Sequence, residues 1–153
     1  MGDDRGKSRS ERADQTRFMA KITGRESARP MYAAVVDGMD QSIGKVLDTL
    51  DAEGLADNTI VLFFSDNGGA VYATGGADNA PLRGGKGDTF EGGIRVVAAM
   101  RWPEKIVAGG QVNSIMSVMD VLPTLLAAAG IEPITRYRLD GRNLLPAIVD
   151  DEA

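Results

Sequence analysis

The fold is decided by residues 59–69, which have the sequence TIVLFFSDNGG. Residues 59–64 are apolar or β-branched without a charged break, a pattern typical of a strand buried on both faces of a sheet. Strands of this kind occur mainly in parallel sheets that helices cover on both sides. The polar residues begin at Ser65, where the strand ends, and open α/β sheets bind their ligands at that end of the strands.

Helical and strand patterns flank this stretch. Upstream, apolar residues at every third or fourth position predict a helix between Pro30 and Gly54: Val35, Met39, Ile43, Val46, Leu47 and Leu50. Downstream, residues 93–100 predict a second strand, and Asp120 can cap a helix over residues 121–129 that ends at Gly130. This order predicts an α/β fold, a partial doubly wound and mostly parallel sheet flanked by helices. So few strands leave edges unpaired, and we expect a homo-oligomer, or a missing portion of the chain, to complete the sheet.

Composition and charge limit the classes of protein. The chain has 153 residues, a size that suits one domain, and the absence of His and Cys excludes a Ser-His-Asp triad, a thiol nucleophile and thiolate metal sites. Residues 1–29 hold eight Lys or Arg against five acids, whereas residues 30–153 carry a net charge of −8. We therefore expect a basic N-terminal segment, mobile or helical, over residues 1–29 and an α/β partial domain over residues 30–153.

The same features argue against several partners. The net charge of −5 makes a nucleic-acid ligand unlikely, and contact of the basic segment with phosphates is the weaker alternative. No apolar run of roughly 18 residues is present to span a membrane, and the first residues lack the apolar centre of a secretory signal. The expected location is the cytoplasm.

Asp66 and Asn67 are the first candidate site residues. A carboxylate and a carboxamide side by side at a strand end offer hard oxygen ligands, which suit calcium, magnesium or manganese. The alternative is a simple Asp-Asn-Gly turn, since these residues tolerate a positive φ.

Arg83 and Lys86 are the second pair of candidates. They lie in a glycine-rich loop, residues 82–87 with the sequence LRGGKG, in which backbone N–H groups and two cations could surround an anion. The spacing is not that of a P-loop, and a solvent-exposed glycine loop is the alternative. Beside a divalent cation, these two cations would complement a tetrahedral oxyanion such as sulfate or phosphate.

Several motifs occur in order between residues 31 and 146: Gly54-Leu55, Asp57-Asn58-Thr59, Ser65-Asp66-Asn67-Gly68-Gly69, Ala80-Pro81-Leu82-Arg83-Gly84-Gly85-Lys86-Gly87, Phe90-Glu91-Gly92-Gly93-Ile94-Arg95-Val96, Arg101-Trp102-Pro103, Pro123-Thr124-Leu125-Leu126 and Leu139-Asp140-Gly141. This series resembles the later part of a type I sulfatase, or arylsulfatase, of the alkaline-phosphatase-like superfamily. The resemblance implies that Asp66 and Asn67 match a pair of calcium ligands and that Lys86 matches the lysine that contacts the sulfate group.

The chain also departs from that family's pattern. Sulfatases form formylglycine from the Cys or Ser of a Cys/Ser-x-Pro-x-Arg signature, and no proline here follows a Cys or Ser by two positions. The early acidic metal ligands and the active-site histidines are missing too, so we expect roughly the third quarter of a sulfatase.

Two functions remain open. One is a promiscuous hydrolase of small-molecule phosphate or sulfate esters, with a divalent metal ion at Asp66 and Asn67 activating water and with Lys86 and Arg83 neutralising the ester oxygens. Asp78, Asp88 or Glu91 could complete the coordination or accept a proton. The alternative is a catalytically inactive sulfatase remnant or an oligomerisation module.

Overall fold

The structure is a computed structural model that describes residues 25–71, 76–133 and 138–150. The first 24 residues of the predicted basic segment lie outside the described residues. Within the described residues, apart from two short 3-10 helices, the elements in chain order are α1 (Arg25–Ala52), β1 (Val61–Phe64), α2 (Glu91–Ile94), β2 (Ala98–Arg101), α3 (Val121–Ala128) and α4 (Leu145–Val149). The described residues fall into two compact units, one of residues 25–53 and 62–99 and the other of residues 54–61 and 100–150.

β1 and β2 form a two-stranded sheet. Ser65 N–H donates to the carbonyl of Val97 at 3.1 Å, and Gly68 N–H donates to that of Gly93 at 2.9 Å. Residue numbers rise from 65 to 68 on one side of these hydrogen bonds and fall from 97 to 93 on the other, so the two strands are antiparallel. The expectation of a parallel pair is therefore wrong for this sheet. The physical reason is that an apolar run indicates burial and carries no information about strand direction.

Both strands are also shorter and more exposed than their sequences predict. Residues 61–63 are half-buried and Phe64 is 41% exposed, because none of the described elements of its unit covers both faces of the sheet. The second strand begins at Ala98 rather than at residue 93. The preceding residues form the helical turn α2, in which Ile94 N–H donates to Phe90 O and Arg95 N–H to Glu91 O.

The helix α1 begins at Arg25, five residues before Pro30, and continues to Ala52. Pro30 lies near its N-terminal end, where a missing N–H costs less than in the middle of a helix. The predicted apolar stripe is present on α1, but its side chains are exposed or half-buried. Among the described residues, no helix is both long and apolar enough to cross a membrane.

Two buried polar side chains, Asp120 and Thr124, connect segments of the second unit by hydrogen bonds to backbone N–H groups. Asp120 is only 5% exposed, and its carboxylate accepts hydrogen bonds from the backbone N–H groups of Ser117 and Arg142, each at 2.7 Å. Thr124 is 1% exposed, and its hydroxyl oxygen accepts from Leu144 N–H at 3.0 Å. The predicted helix is therefore present as α3, but the Asp120 side chain closes a capping box with Ser117 instead of capping α3 itself.

Candidate active site

The turn that follows β1 presents Asp66 and Asn67 at the end of the sheet. The Ser65 hydroxyl donates to the Asn67 carbonyl at 2.8 Å, which closes the turn. The hydrogen bond from Gly68 N–H to Gly93 O then ties the turn to the chain just before β2. The backbone therefore fixes where these two polar side chains begin.

Glycines allow the surrounding backbone segments to approach closely. A Cβ at Gly68 would collide with the carbonyl of Gly92, and a Cβ at Gly92 would collide with the carbonyl of Gly84. Gly92 N–H donates to Arg83 O at 2.7 Å across the same contact. The turn, the glycine-rich loop and α2 thus pack backbone against backbone, which only residues without a Cβ permit.

Asn79 joins the turn to the glycine-rich loop. Its side-chain oxygen accepts from Gly69 N–H at 3.0 Å, and its amide nitrogen donates to Gly69 O at 2.9 Å and to Gly84 O at 3.1 Å. Sequence reasoning missed this residue, since an isolated Asn in a loop has neither periodicity nor a motif to mark it. Its side chain provides hydrogen-bond partners for one backbone N–H group, that of Gly69, and for two backbone carbonyls, those of Gly69 and Gly84.

Lys86 reaches across to the turn. Its Nζ donates to Asp66 Oδ2 at 2.9 Å and to Asn67 Oδ1 at 2.7 Å. Lys86 N–H also donates to Gly69 O at 3.1 Å, so backbone and side chain hold the loop against the same turn. The structure thus brings together three of the four predicted site residues, although Lys86 lies 19 and 20 positions from Asn67 and Asp66 in the chain.

The electrostatics of this cluster follow from the lysine. The hydrogen bond from the Lys86 ammonium lowers the pKa of Asp66 below its usual value. Asn67 Nδ2 also donates to Asp66 Oδ2, at 3.0 Å. Both charged side chains remain open to solvent, with Asp66 75% and Lys86 45% exposed. An ion pair this exposed contributes little to stability, and its partners can separate at low cost.

The same geometry tests whether the residues suit a metal ion. Two hard oxygens converge on one point, where the Lys86 ammonium now stands as a monovalent cation, so the donor pair fits a cation. Calcium takes six to eight oxygens, and no group of three or more acidic residues that could hold a metal occurs within the described ranges. Asp66 and Asn67 can therefore supply two ligands, and they do not form a complete site.

Arg83, the fourth candidate, is held elsewhere. Its guanidinium carbon lies 3.8 Å from the centre of the Phe90 ring, a cation–π contact. In the described part of the chain its guanidinium therefore stacks on an aromatic ring and does not join the oxygens of Asp66 and Asn67. A direct role of Arg83 in anion binding stays a prediction.

The three acids suggested as further ligands or bases have other partners. Asp78 forms an ion pair with Arg29 at 2.8 Å, and Glu91 pairs with Arg95 at 3.2 Å within α2 and its C-cap. Asp88 accepts from Gly85 N–H at 3.0 Å, which shapes the glycine-rich loop. These contacts give the acids structural roles around the site.

Comparisons with known proteins agree with the sequence motifs. The family model described as Sulfatase matches residues 3–131. The steryl-sulfatase of Rattus norvegicus is 44% identical over 130 residues, which cover 81% of this chain and 22% of that protein. The N-acetylgalactosamine-6-sulfatase of Homo sapiens is 42% identical over 125 residues, covering 80% of this chain and 24% of that protein.

Solved structures give the same result for the fold. The crystal structure of Ps i-CgsB in complex with k-i-k-neocarrahexaose superposes with a TM-score of 0.76 and 39% sequence identity, over 82% of this chain and 28% of that chain. Sulfatases have an alkaline-phosphatase-like α/β fold, which supports the predicted α/β class, while completion of the sheet by a homo-oligomer stays a prediction. The chain spans about a quarter of the length of the curated relatives that it matches.

Proposed function

Because this chain belongs to the sulfatase family, we propose that it takes part in hydrolysis of small-molecule sulfate esters, with phosphate esters as secondary substrates. Asp66 and Asn67 would be ligands of a divalent metal ion, calcium by family resemblance, and Lys86 would bind the oxygens of the ester anion. The observation that carries the proposal is the convergence of two side-chain oxygens and one ammonium at a single point beside the sheet.

Lys86 has two roles in this proposal. Without substrate, its ammonium neutralises Asp66 and occupies the point where the oxygens of Asp66 and Asn67 converge. With a divalent cation held by Asp66 and Asn67, Lys86 would turn its ammonium toward the ester oxygens and donate hydrogen bonds to them. Its 45% exposure leaves room for this movement.

The metal ion, when bound, supplies Lewis-acid polarisation of the ester and lowers the pKa of water. The chain's own residues would position the ligands and the ester: hydrogen bonds of Ser65 and Gly68 fix the turn that carries Asp66 and Asn67, and Asn79 fixes the glycine-rich loop that carries Lys86. Arg83, stacked on Phe90, adds a positive charge to that loop. These features favour anions with tetrahedral oxygen groups over neutral esters.

The chemistry of the donors limits the substrate class. The contacts that the structure describes for Asp66, Asn67 and Lys86 are polar, so these three side chains give no preference among the organic parts of the ester. Two of the relatives are a steryl-sulfatase and an N-acetylgalactosamine-6-sulfatase, and these three side chains would not distinguish a sterol ester from a sugar ester. We also propose a homo-oligomer, since a two-stranded sheet leaves strand edges unpaired.

The test is hydrolysis of nitrophenyl sulfate and nitrophenyl phosphate by the purified chain, stripped of metal with EDTA and then supplied with calcium, magnesium or manganese. The variants are Asp66→Asn and Lys86→Met. We expect activity only with metal, its loss in Asp66→Asn, and a decrease in kcat/KM of about 100-fold in Lys86→Met, because removing one donor to a developing anion has an effect of that order.

Matched controls use the same substitutions at exposed residues that are not members of the cluster, Asp57→Asn and Lys45→Met. Both should retain the activity of the unmodified chain. Activity that is unaffected by EDTA and persists in Asp66→Asn would contradict the proposed metal role. No activity with any metal or ester would favour the catalytically inactive alternative, for which the incomplete ligand set is the supporting observation.

A further inference from the structure

Gly69 lies two residues after Asn67, and its backbone groups contact two other parts of the chain. Gly69 N–H donates to Asn79 Oδ1 at 3.0 Å, while Gly69 O accepts from Asn79 Nδ2 at 2.9 Å and from Lys86 N–H at 3.1 Å. The Asn79 side chain and the Lys86 backbone therefore share one acceptor. A displacement of Gly69 O would change both contacts.

The contacts of Asn79 require an amide, and a side chain of the same shape is not enough. Its Oδ1 faces the N–H of Gly69, while its Nδ2 faces two carbonyl oxygens, those of Gly69 and Gly84. An amide offers an acceptor and two N–H donors on one planar group. Aspartate has nearly the same size, but an ionised carboxylate has no donor, so it would turn an oxygen toward those two carbonyls.

The ion pair at the tip of Lys86 cannot by itself hold the loop in place. The side chains of Lys86 and Asp66 are 45% and 75% exposed, and ion pairs with such exposure stabilise little. The three hydrogen bonds of Asn79 are partly buried, where the loss of a partner costs more than at the surface. Backbone packing leaves little room for another arrangement, since a Cβ at Gly85 would lie 2.5 Å from Gly69 O.

We infer that Asn79 is a positioning residue for Lys86, which holds Gly69 O and Gly84 O so that the Lys86 ammonium reaches the turn after β1. Its effect passes through the backbone, because Gly69 O accepts from Lys86 N–H and Gly84 lies two residues before Lys86. The kinetic part of the inference rests on the proposed function, in which Lys86 binds the ester anion. The geometric part is tested separately.

Nuclear magnetic resonance of the lysine ammonium groups tests the geometric part without metal or substrate. The chain has five lysines, so isotope labelling of their nitrogens gives few signals, and Lys86→Met identifies the signal of Lys86. Its two side-chain hydrogen bonds should slow the exchange of the ammonium hydrogens with water. In Asn79→Asp we expect loss of this slow exchange, to the rate of Lys45, an exposed lysine.

A double-substitution cycle in ester hydrolysis separates positioning from a merely structural role. In the unmodified chain, Asn79→Asp should lower kcat/KM for nitrophenyl sulfate by at least about tenfold, because a small misplacement of a catalytic group has an effect of that order. In the Lys86→Met background the same substitution should change kcat/KM by less than about twofold, since the group that it misplaces is gone. A merely structural role would give a similar loss in both backgrounds.

Two controls accompany Asn79→Asp. Asn58→Asp makes the same change at an exposed residue and should alter neither readout. Thr124→Val removes a hydrogen bond that a buried side chain forms in the second unit. It lowers stability, yet it should leave the exchange of the Lys86 ammonium as in the unmodified chain.

Slow exchange of the Lys86 ammonium in folded Asn79→Asp, or equal losses in both backgrounds of the cycle, would overturn the inference. If circular dichroism shows that Asn79→Asp does not fold, Asn79→Ser takes its place with the same expectations. If neither folds, amide exchange of the unmodified chain in rising denaturant decides. The Asn79 side-chain amide and Lys86 N–H should then open together as one unit, and separate opening would overturn the inference.

Failure of the proposed function gives a different result. A chain that hydrolyses no ester but loses the slow exchange of the Lys86 ammonium in Asn79→Asp would contradict the proposed function and support the positioning role. An active chain in which Asn79→Asp changes neither the exchange nor kcat/KM would contradict the positioning role alone.

Discussion

Replacing Gly92 by alanine tests whether close backbone packing holds Lys86 in the site. A Cβ at Gly92 would collide with Gly84 O and would lie 2.6 Å from Arg83 O, where ordinary contact begins at 3.4 Å. The glycine-rich loop would have to move by about 0.8 Å or more. A shift of that size takes the Lys86 Nζ contacts, now 2.7 and 2.9 Å, out of hydrogen-bond range unless the side chain compensates.

The expected cost of Gly92→Ala is about 1–3 kcal/mol, as for overpacking in a well-packed region. For a chain of this size, each kcal/mol lowers Tm by about 2–4 °C. Thermal unfolding followed by far-ultraviolet circular dichroism measures this change. The calcium affinity of the folded variant, measured by calorimetry, should show whether the site itself is disturbed.

Gly44→Ala is the matched control. Gly44 lies in the interior of α1, and a Cβ there would have nothing within 4 Å. Alanine has the higher helix propensity, so this variant should be more stable by about 0.5–1 kcal/mol. If Gly92→Ala unfolds at the same temperature as Gly44→Ala, or higher, the argument from backbone packing is refuted.

Two further predictions concern the buried polar groups of the second unit. Thr124→Val leaves the Leu144 N–H without its partner and should cost about 1–3 kcal/mol in denaturant unfolding, while Thr124→Ser, which keeps the hydroxyl, should cost less. Hydrogen bonds from backbone N–H groups, that of Ser117 first, lower the pKa of Asp120. Its stabilising contribution is therefore present above the unfolded pKa and lost as pH falls through the lower folded pKa. Acid titration of Asp120→Asn should lack that loss, and an acid limb identical to that of the unmodified chain would contradict the assignment.

The elements that the sequence predicts best are those with local signals. Gly130 has a φ of +66°, and Ile131 N–H donates to Leu126 O, so the end of α3 depends on a conformation that glycine adopts readily. The beginning of α1 was harder to predict. Pro30 is compatible with an early helical position as well as with a boundary, and the helix extends back to Arg25.

Strand direction and burial could not be predicted, because both depend on residues distant in the chain. The run at residues 61–64 has the composition of a buried parallel strand, yet its partner is antiparallel and Phe64 is exposed. The hydrogen bond from Gly68 N–H to Gly93 O accompanies this pairing, and a contact between residues 25 positions apart leaves no periodic signal in the sequence.

The candidate site was predictable in its residue types and only partly in its geometry. Asp66 and Asn67 follow the strand end, and Lys86 lies in a glycine-rich loop, so their chemistry is visible in the sequence. The contact of Arg83 with Phe90, and the role of Asn79, depend on how that loop folds back. Neither is encoded at a fixed spacing.

Calcium binding to three forms of the chain is the most direct measurement of whether Asp66, Asn67 and Lys86 form one site. In calorimetric titrations, Asp66→Asn should weaken calcium binding by at least about tenfold, since a carboxylate is the stronger ligand for a hard cation. Lys86→Met should strengthen it by up to about fivefold, because an exposed ammonium that competes for the same oxygens is removed. Equal affinity in all three forms, or no calcium binding by any, would contradict the account.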